Sequence, residues 1–160
     1  ESEYMKNLLA IFLMVFLFAS CEGPMGPPGR DGEDGGITYW IFDKDIQVKS
    51  SDWELVDNGN NEPFYMYEYR IADKDFDIYQ DAYKEGLITC YMYLDHGEDK
   101  EAQTALPNPV NRIDKENNIW TETYAAEYTK DGFIIFKVTF SDFFTDQRPP
   151  ETHFKAVITY

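Results

Sequence analysis

The residue types that perform most protein chemistry are scarce in this chain. It has two cysteines, Cys21 and Cys90, and two histidines, His96 and His153, among 30 acidic residues. A nucleophilic site needs a cysteine or serine beside a base that a third group orients, and the sequence shows no such pattern. It also lacks the Cys/His spacing of zinc sites and the glycine-rich loop that cradles phosphates. We therefore expect a protein that is not an enzyme and has no cofactor and no dedicated metal site.

Tyrosines form the most regular pattern with binding potential. Tyr65, Tyr67 and Tyr69 alternate along one predicted strand, and Tyr91 and Tyr93 along another. An exposed row of such rings would stack on sugar rings, because an aromatic face is flat and apolar. The same spacing fits rings that pair across strands inside the fold. We favour this second interpretation and keep the five tyrosines as candidate ligand-binding residues.

Acidic segments offer little specific metal chemistry. Residues 73–77 have acids at alternate positions, as calcium loops do, but Ile78 stands where glycine is required and Lys84 where the closing glutamate belongs. We interpret this segment as a charged turn that caps a helix. Residues 57–62 and 95–99 are rich enough in acids to collect a loose surface cation, although no spacing requires one.

Charge and aromatic content limit the class of protein. The net charge of −16 repels nucleic-acid phosphates, so nucleic acid is not an expected partner. Aromatic residues make up 17% of the chain, too many for a disordered segment. We therefore predict a folded domain with an acidic, solvated surface.

The first 20 residues have the pattern of an export signal. Lys6 follows Met5, and the apolar run 8–19 comes next. At about 1.5 Å per residue the run spans roughly 18 Å, short of the roughly 30 Å hydrocarbon core, so a permanent transmembrane helix is the weaker interpretation. We predict a signal peptide over residues 1–20, in which residues 1–4 precede the natural start at Met5.

The segment from Leu17 to Cys21 resembles the lipobox of bacterial lipoproteins, in which small residues precede a cysteine whose thiol receives a diacylglycerol. Phe18 stands where leucine is usual. The resemblance implies that Cys21 is lipidated and becomes the new N-terminus, which anchors the protein to membrane lipid. The alternative is a plain signal peptide in which Cys21 is incidental. With Cys21 lipidated, Cys90 has no disulfide partner, and we predict it to be a small buried residue in a strand.

Residues 21–36 form a predicted tether after the lipidated cysteine. Glycines recur there at every third position, as in collagen, where only glycine fits at the axis of three chains. So few triplets cannot hold a triple helix alone, although a trimer nucleated here remains an alternative. An extended spacer of roughly 45 Å, at about 3.1 Å per residue, is the interpretation we favour.

Residues 37–160 form one predicted domain built from strands. Tyr, Phe, Ile, Val and Thr alternate with polar residues between clusters of Asn, Gly, Pro and Asp, which indicates antiparallel sheet. Residues 57–61 and 130–132 are predicted hairpin turns, and 107–109 and 148–150 longer connections. The predicted strands are 38–42, 46–49, 53–56, 64–71, 87–94, 103–106, 119–128, 133–140 and 153–160.

One short helix interrupts the strands. Asp77 is its predicted N-cap, residues 78–85 its body and Gly86 its end. Many short strands with a single helix, in a domain of this size, favour an all-β antiparallel β-sandwich over a barrel, although the sequence does not decide how the sheets close.

Segments spread over nearly the whole chain carry a resemblance to a known family: Cys21 with Gly23–Gly36, Trp40, Asp52-Trp53, Trp120–Tyr128, Gly132–Phe136, Ser141–Phe143, Arg148–Pro150 and Phe154–Tyr160. In these segments the chain is similar to small Bacteroidetes lipoproteins often called collagen-like, which have a short Gly-X-Y tether before a β-rich domain. The resemblance implies an outer-membrane location, with exposure at the cell surface as an option, and implies no reaction.

Two functions follow as expectations. The first is a membrane-anchored, non-enzymatic protein that binds an envelope partner or serves as an accessory subunit of an envelope assembly. The alternative is a glycan-binding module of a polysaccharide-uptake system. A hydrolase with an unrecognised site is a third, weaker class. The expected partners are membrane lipid, through Cys21, and an envelope protein or a glycan.

Overall fold

A computed structural model describes residues 4, 5, 7, 39–57 and 59–159. The chain divides after Gly36 into two units, residues 1–36 and 37–160. The predicted lipidation site Cys21 and the predicted tether lie outside the described residues, and so does the predicted signal peptide except for residues 4, 5 and 7. In the part of the chain that is described, no helix has both the length and the apolar character needed to cross a bilayer.

The described part of the second unit is built from nine strands in two antiparallel sheets. One sheet has the order β1-β9-β4-β5 and the other the order β2-β3-β8-β7-β6. The strands are β1 Tyr39–Val48, β2 Glu54–Val56, β3 Phe64–Arg70, β4 Leu87–Leu94, β5 Ala102–Ala105, β6 Asn108–Ile113, β7 Ile119–Tyr128, β8 Phe133–Phe140 and β9 Thr152–Thr159.

Alternation in β8 and β9 places one face of each strand in the core. On β8, Ile134, Phe136, Val138 and Phe140 are buried, and on β9, Phe154, Ala156 and Ile158. The rings of Phe136 and Phe154 stack at 4.2 Å between centroids and so join the two sheets. Each large apolar side chain buried this way contributes about 2 kcal/mol relative to exposure. The predicted all-β sandwich is confirmed.

One α-helix, α1 (Phe76–Glu85), lies among the described residues of the second unit and closes one end of the sandwich. Tyr79 and Ala82 are buried on its inner face, and the Tyr79 hydroxyl donates to the Thr129 carbonyl oxygen at 2.6 Å, where β7 ends. The predicted cap at Asp77 is wrong, because a 3-10 turn over Asp73–Asp75 runs directly into the helix. Gly86 ends the helix as predicted.

Two strands differ from the predictions. The pattern of residues 38–49 predicts two strands, but β1 is one continuous strand. Its polar residues 43–45 are accommodated by irregularities in the pairing of β1 with β9. Residues 107–109 were predicted to be a connection, yet β6 begins at Asn108. Pro109 is tolerated because β6 lies at the edge of its sheet.

Cys90 lies on β4 and is 1% exposed, which confirms the prediction of a small buried residue in a strand. Burial raises the pKa of its thiol to about 12. The thiol is therefore protonated at neutral pH and is a packing group in the core.

Candidate functional site

The tyrosines of β3 are not an exposed row. Tyr65 is 4% exposed, and its hydroxyl donates to the Thr145 carbonyl oxygen at 2.7 Å. Tyr67 and Tyr69 are half-buried against the core. Burial, together with the nearby charge of Asp43, raises the pKa of Tyr69 to about 12. Packing inside the sandwich therefore accounts for this stripe.

The tyrosines of β4 lie on the other face of their strand from the buried Cys90. Tyr91 is half-buried, and the ammonium nitrogen of Lys155 lies 4.9 Å from the centre of its ring. Tyr93 is also half-buried, donates its hydroxyl hydrogen to the Lys44 carbonyl oxygen at 2.6 Å and meets the His96 ring edge-on. These neighbours engage both rings, so they do not form a bare stacking platform.

A concave surface lies at the opposite end of the sandwich from α1. The turn between β6 and β7 and the connection between β8 and β9 surround a cavity of about 500 Å³, a size typical of ligand sites. We call it the end cavity. It is lined by apolar and polar side chains that include Asn118, Ile119, Trp120, Phe140, Phe144 and Gln147.

Large apolar side chains at the rim of the end cavity are mostly exposed. Ile119 is 74% exposed and Phe144 is 68% exposed. Ile113, which pairs with Ile119 across β6 and β7, is 64% exposed. We call Ile113, Ile119, Trp120 and Phe144 the end patch. Exposed apolar side chains that cluster around a concave surface are typical of interaction sites.

Two carboxylates of the end cavity hold its loops in place. Asp114 accepts hydrogen bonds from the side-chain and backbone nitrogens of Asn118, at 2.8 and 2.9 Å, and from the backbone nitrogen of Glu116. The side-chain bond from Asn118 is the main cause of a lowered pKa at Asp114. Asp142 accepts from the backbone nitrogen of Phe144 at 3.1 Å. Both groups are thus engaged as turn caps, which suits a preformed binding surface better than general acid–base chemistry.

A buried carboxylate fixes Trp120 from below. Glu122 is 6% exposed and accepts from the indole nitrogen of Trp120 at 3.3 Å. Arg112 also donates to Glu122, at 3.0 Å, and so does the Tyr124 hydroxyl, at 3.2 Å. With its charge paired, the carboxylate is a rigid support for the cavity wall.

The end patch is absent from the sequence-based candidates. Its members come from β6, β7 and a loop, so no periodicity connects them. The available signal is Phe143-Phe144 inside a polar segment between Asp142 and Asp146, because large aromatic residues in such a loop have no strand face on which to be buried.

One set of potential metal ligands also comes together. In the regions that the structure describes, Asp45, His96 and His153 are the histidine and acidic side chains whose ligand atoms all lie within 4.8 Å of one another. They belong to β1, to the loop after β4 and to β9. Sequence spacing did not reveal them because three separate elements bring them together.

These features define an all-β, two-sheet sandwich with a preformed cavity at one end. Comparisons of the chain with family models, with curated proteins and with solved structures found no match in any of the three.

Proposed function

We propose that this protein is a lipid-anchored protein of the outer membrane whose sandwich domain binds another envelope protein through the end patch, without catalysing a reaction. The observation that carries the proposal is the exposure of Ile113, Ile119 and Phe144 around a concave surface whose wall is held rigid. A preformed apolar surface lowers the entropy that binding must overcome.

The composition of the end patch supports a protein partner. A few residues supply most of the binding energy at protein interfaces; aromatic residues, Trp above all, are enriched among them, and they lie at the centre of a patch with a polar rim. Asp142 and Asp146 give this rim a negative charge. A partner with an apolar centre and basic residues around it is therefore complementary.

The anchor rests on the sequence around Cys21 and on the tether that follows. A diacylated thiol with a spacer of roughly 45 Å would leave the domain free to reach an assembly beside the membrane. Replacing Cys21 with alanine should release the protein from membranes into a soluble fraction. Unchanged membrane fractionation of that variant, or a mature N-terminus without fatty acid by mass spectrometry, would contradict the lipid anchor.

Site-directed photo-crosslinking in intact cells tests the patch. A photoreactive residue at position 144 should capture a specific envelope protein, and the same residue at position 87 should not, because Leu87 is similarly exposed, at 60%, but lies at the end of the sandwich near α1. Ile119→Ala should reduce the capture at least about tenfold, the effect of removing an interface hot spot. Equal capture from both positions would refute the assignment of the patch.

Glycan binding is the second candidate function, and the end cavity supplies a specific observation for it. Rings of Trp120 and Phe144 stand there beside the amides of Asn118 and Gln147, and sugar sites combine such aromatic faces with amide hydrogen bonds. A glycan array probed with the full chain separates the two candidates. Binding that Phe144→Ala abolishes and Leu87→Ala preserves supports the glycan; an empty array with a crosslinked protein supports the first proposal.

A further inference from the structure

We propose that Asp45, His96 and His153 form a binding site for one divalent transition cation of the zinc class. This site lies on the outer face of the sheet β1-β9-β4-β5, and its residues do not overlap with the end patch. The inference does not depend on the proposed function.

The two imidazole rings present nitrogen atoms to the same carboxylate. His153 Nδ1 lies 2.6 Å from one oxygen of Asp45, and His96 Nε2 lies 3.6 Å from the other. The rings are stacked, with centroids 4.0 Å apart and planes at 7°. Zinc ligands at bonds of about 2.1 Å are about 3.4 Å apart in a tetrahedron. The three ligand atoms lie within 4.8 Å of one another, so the widest separation must shorten by about 1.4 Å to surround an ion. Because an imidazole binds a metal in the plane of its ring, one of the two stacked rings must also turn when the ion binds.

A different structural feature positions each of the three ligands. Asp45 lies in β1 where the pairing with β9 is irregular, and such bulges redirect side chains. His96 occupies a tight turn in which Asp95 and Gly97 have φ values of 51° and 78°, and the carboxylate of Glu101 accepts from the Gly97 backbone nitrogen at 2.7 Å. His153 is on β9, opposite Gln47.

Tyr93 connects the turn that holds His96 with the irregular part of β1. Its ring meets the His96 ring edge-on at 4.8 Å, and its hydroxyl donates to the carbonyl oxygen of Lys44, the residue before Asp45. The orientation of His96 is thus linked to the irregular part of β1. These contacts restrict where Asp45 and His96 can lie, so less entropy is lost when the side chains rearrange around an ion.

Glu151 stands where metal sites have an outer partner. Its carboxylate oxygen lies 3.3 Å from His153 Nε2, the ring nitrogen that faces away from Asp45. Gln47 donates to the same oxygen at 3.0 Å and fixes its position. A histidine that binds a metal through one nitrogen usually donates its other N–H to a carboxylate, which sets the tautomer and strengthens the ligand. Asp45 and His153 would therefore bind the ion, and Glu151 would be the outer partner of His153.

The ligand set selects the class of cation. Two imidazole nitrogens with one carboxylate suit Zn²⁺, Cu²⁺ and Ni²⁺, whereas Ca²⁺ and Mg²⁺ require mostly oxygen ligands. Three protein ligands leave a fourth position for water or for a donor from a bound molecule. The side chains of Asp45 and His96 are 46% and 31% exposed, so an ion can enter from solvent.

Isothermal titration of the metal-free full chain with Zn²⁺ tests the site. We expect one ion per chain, and Co²⁺ at the same site should give the absorption of tetrahedral nitrogen–oxygen coordination. His96→Ala and His153→Ala should each weaken Zn²⁺ binding more than about 100-fold, and Glu151→Gln by about tenfold, as is usual for an outer partner. Zn²⁺ should also raise the melting temperature of the wild-type chain and not that of His96→Ala.

Asp99→Ala is the matched control, because it removes an exposed acid from the same loop as His96 and lies outside the cluster. It should bind Zn²⁺ as the wild type does. A wild-type chain that does not bind Zn²⁺, a His96→Ala chain that binds it equally well, or Ca²⁺ binding as tight as Zn²⁺ binding would overturn the proposal. His96→Gln serves as a second variant, since its polar side chain preserves the turn.

Discussion

Glu122 is a buried ionisable group on β7, where an unpaired charge would be costly. Its oxygens accept from Arg112, Trp120 and Tyr124, so each of the two oxygens has at least one donor. Moving a carboxylate out of water costs several kcal/mol unless partners of this kind compensate. The arrangement therefore makes Glu122 dependent on Arg112, which carries the only positive charge among the three donors.

Replacing Arg112 with methionine should lower the free energy of unfolding by about 2 kcal/mol, because Glu122 then remains buried without its cation. The double variant Arg112→Met/Glu122→Gln should regain most of that loss, since the neutral amide can accept from the Trp120 indole through its oxygen and donate to the Tyr124 hydroxyl through its NH2 group. Chemical denaturation of the wild type and the variants measures both effects. A single variant as stable as the wild type would show that water reaches Glu122.

Cys90 should resist alkylation in the folded protein. Its thiol is 1% exposed, and burial raises its pKa to about 12, so the reactive thiolate is scarce. Iodoacetamide should label position 90 in the denatured chain and not in the native one, as peptide mass spectrometry can report. Rapid native labelling would mean that β4 opens locally.

At the level of elements, two features of the structure require glycine at position 132, and the sequence predicts only one of them. The turn before β8 gives it φ of +87°, a conformation that favours glycine. A Cβ atom at this position would lie 2.7 Å from the Phe76 ring of α1. The turn is predictable from Lys130-Asp131-Gly132, whereas the contact with the helix depends on the tertiary fold.

Gly132→Ala should therefore destabilise the protein more than Gly59→Ala. Gly59 has φ of +76° and nothing within 4 Å of the added carbon, so it reports the backbone penalty alone, about 1 kcal/mol. The excess at Gly132 should disappear in a Phe76→Ala background, as a double-mutant cycle of unfolding free energies would show. Equal losses at the two glycines would mean that the Phe76 ring moves aside freely.

Strong alternation made β4, β7 and β8 predictable with correct ends, because one face of each strand is buried and the other is not. The pattern failed at residues 43–45 and at Pro109, where irregular pairing and an edge position accommodate residues that usually end strands. His96 and His153 come from distant parts of the sequence, so only the strand order places them together. The burial of Tyr65 could not be predicted from the sequence either, because it depends on which face of β3 meets the other sheet.

At the scale of the whole molecule, buried tyrosines should lower the free energy of unfolding at alkaline pH. Burial raises the pKa of Tyr79 and of Tyr124 from 10.0 to about 12, with further contributions from Tyr83 and from the charge of Glu122 respectively. Because the folded pKa is the higher one, the stability these groups confer is complete below pH 10.0 and is lost as the pH rises towards 12. The loss is roughly 3 kcal/mol for each tyrosine.

Denaturation midpoints measured between pH 9 and 12 should fall over this interval. In Tyr79→Phe, which cannot ionise at that position, the fall should be smaller, although the variant starts about 1 kcal/mol less stable because the hydrogen bond to Thr129 is missing. A fall as steep as that of the wild type would exclude Tyr79 as a contributor.

The strand order leaves β1, β5, β2 and β6 at the borders of the two sheets, and each of them carries a feature that obstructs the addition of a foreign strand. β1 is irregular, β2 has three residues, β5 has four and β6 contains a proline. Among the residues that the structure describes, a second copy of the domain therefore finds no long, flat border on which to continue either sheet. Crowded copies of the domain should accordingly resist growth into fibres by strand addition.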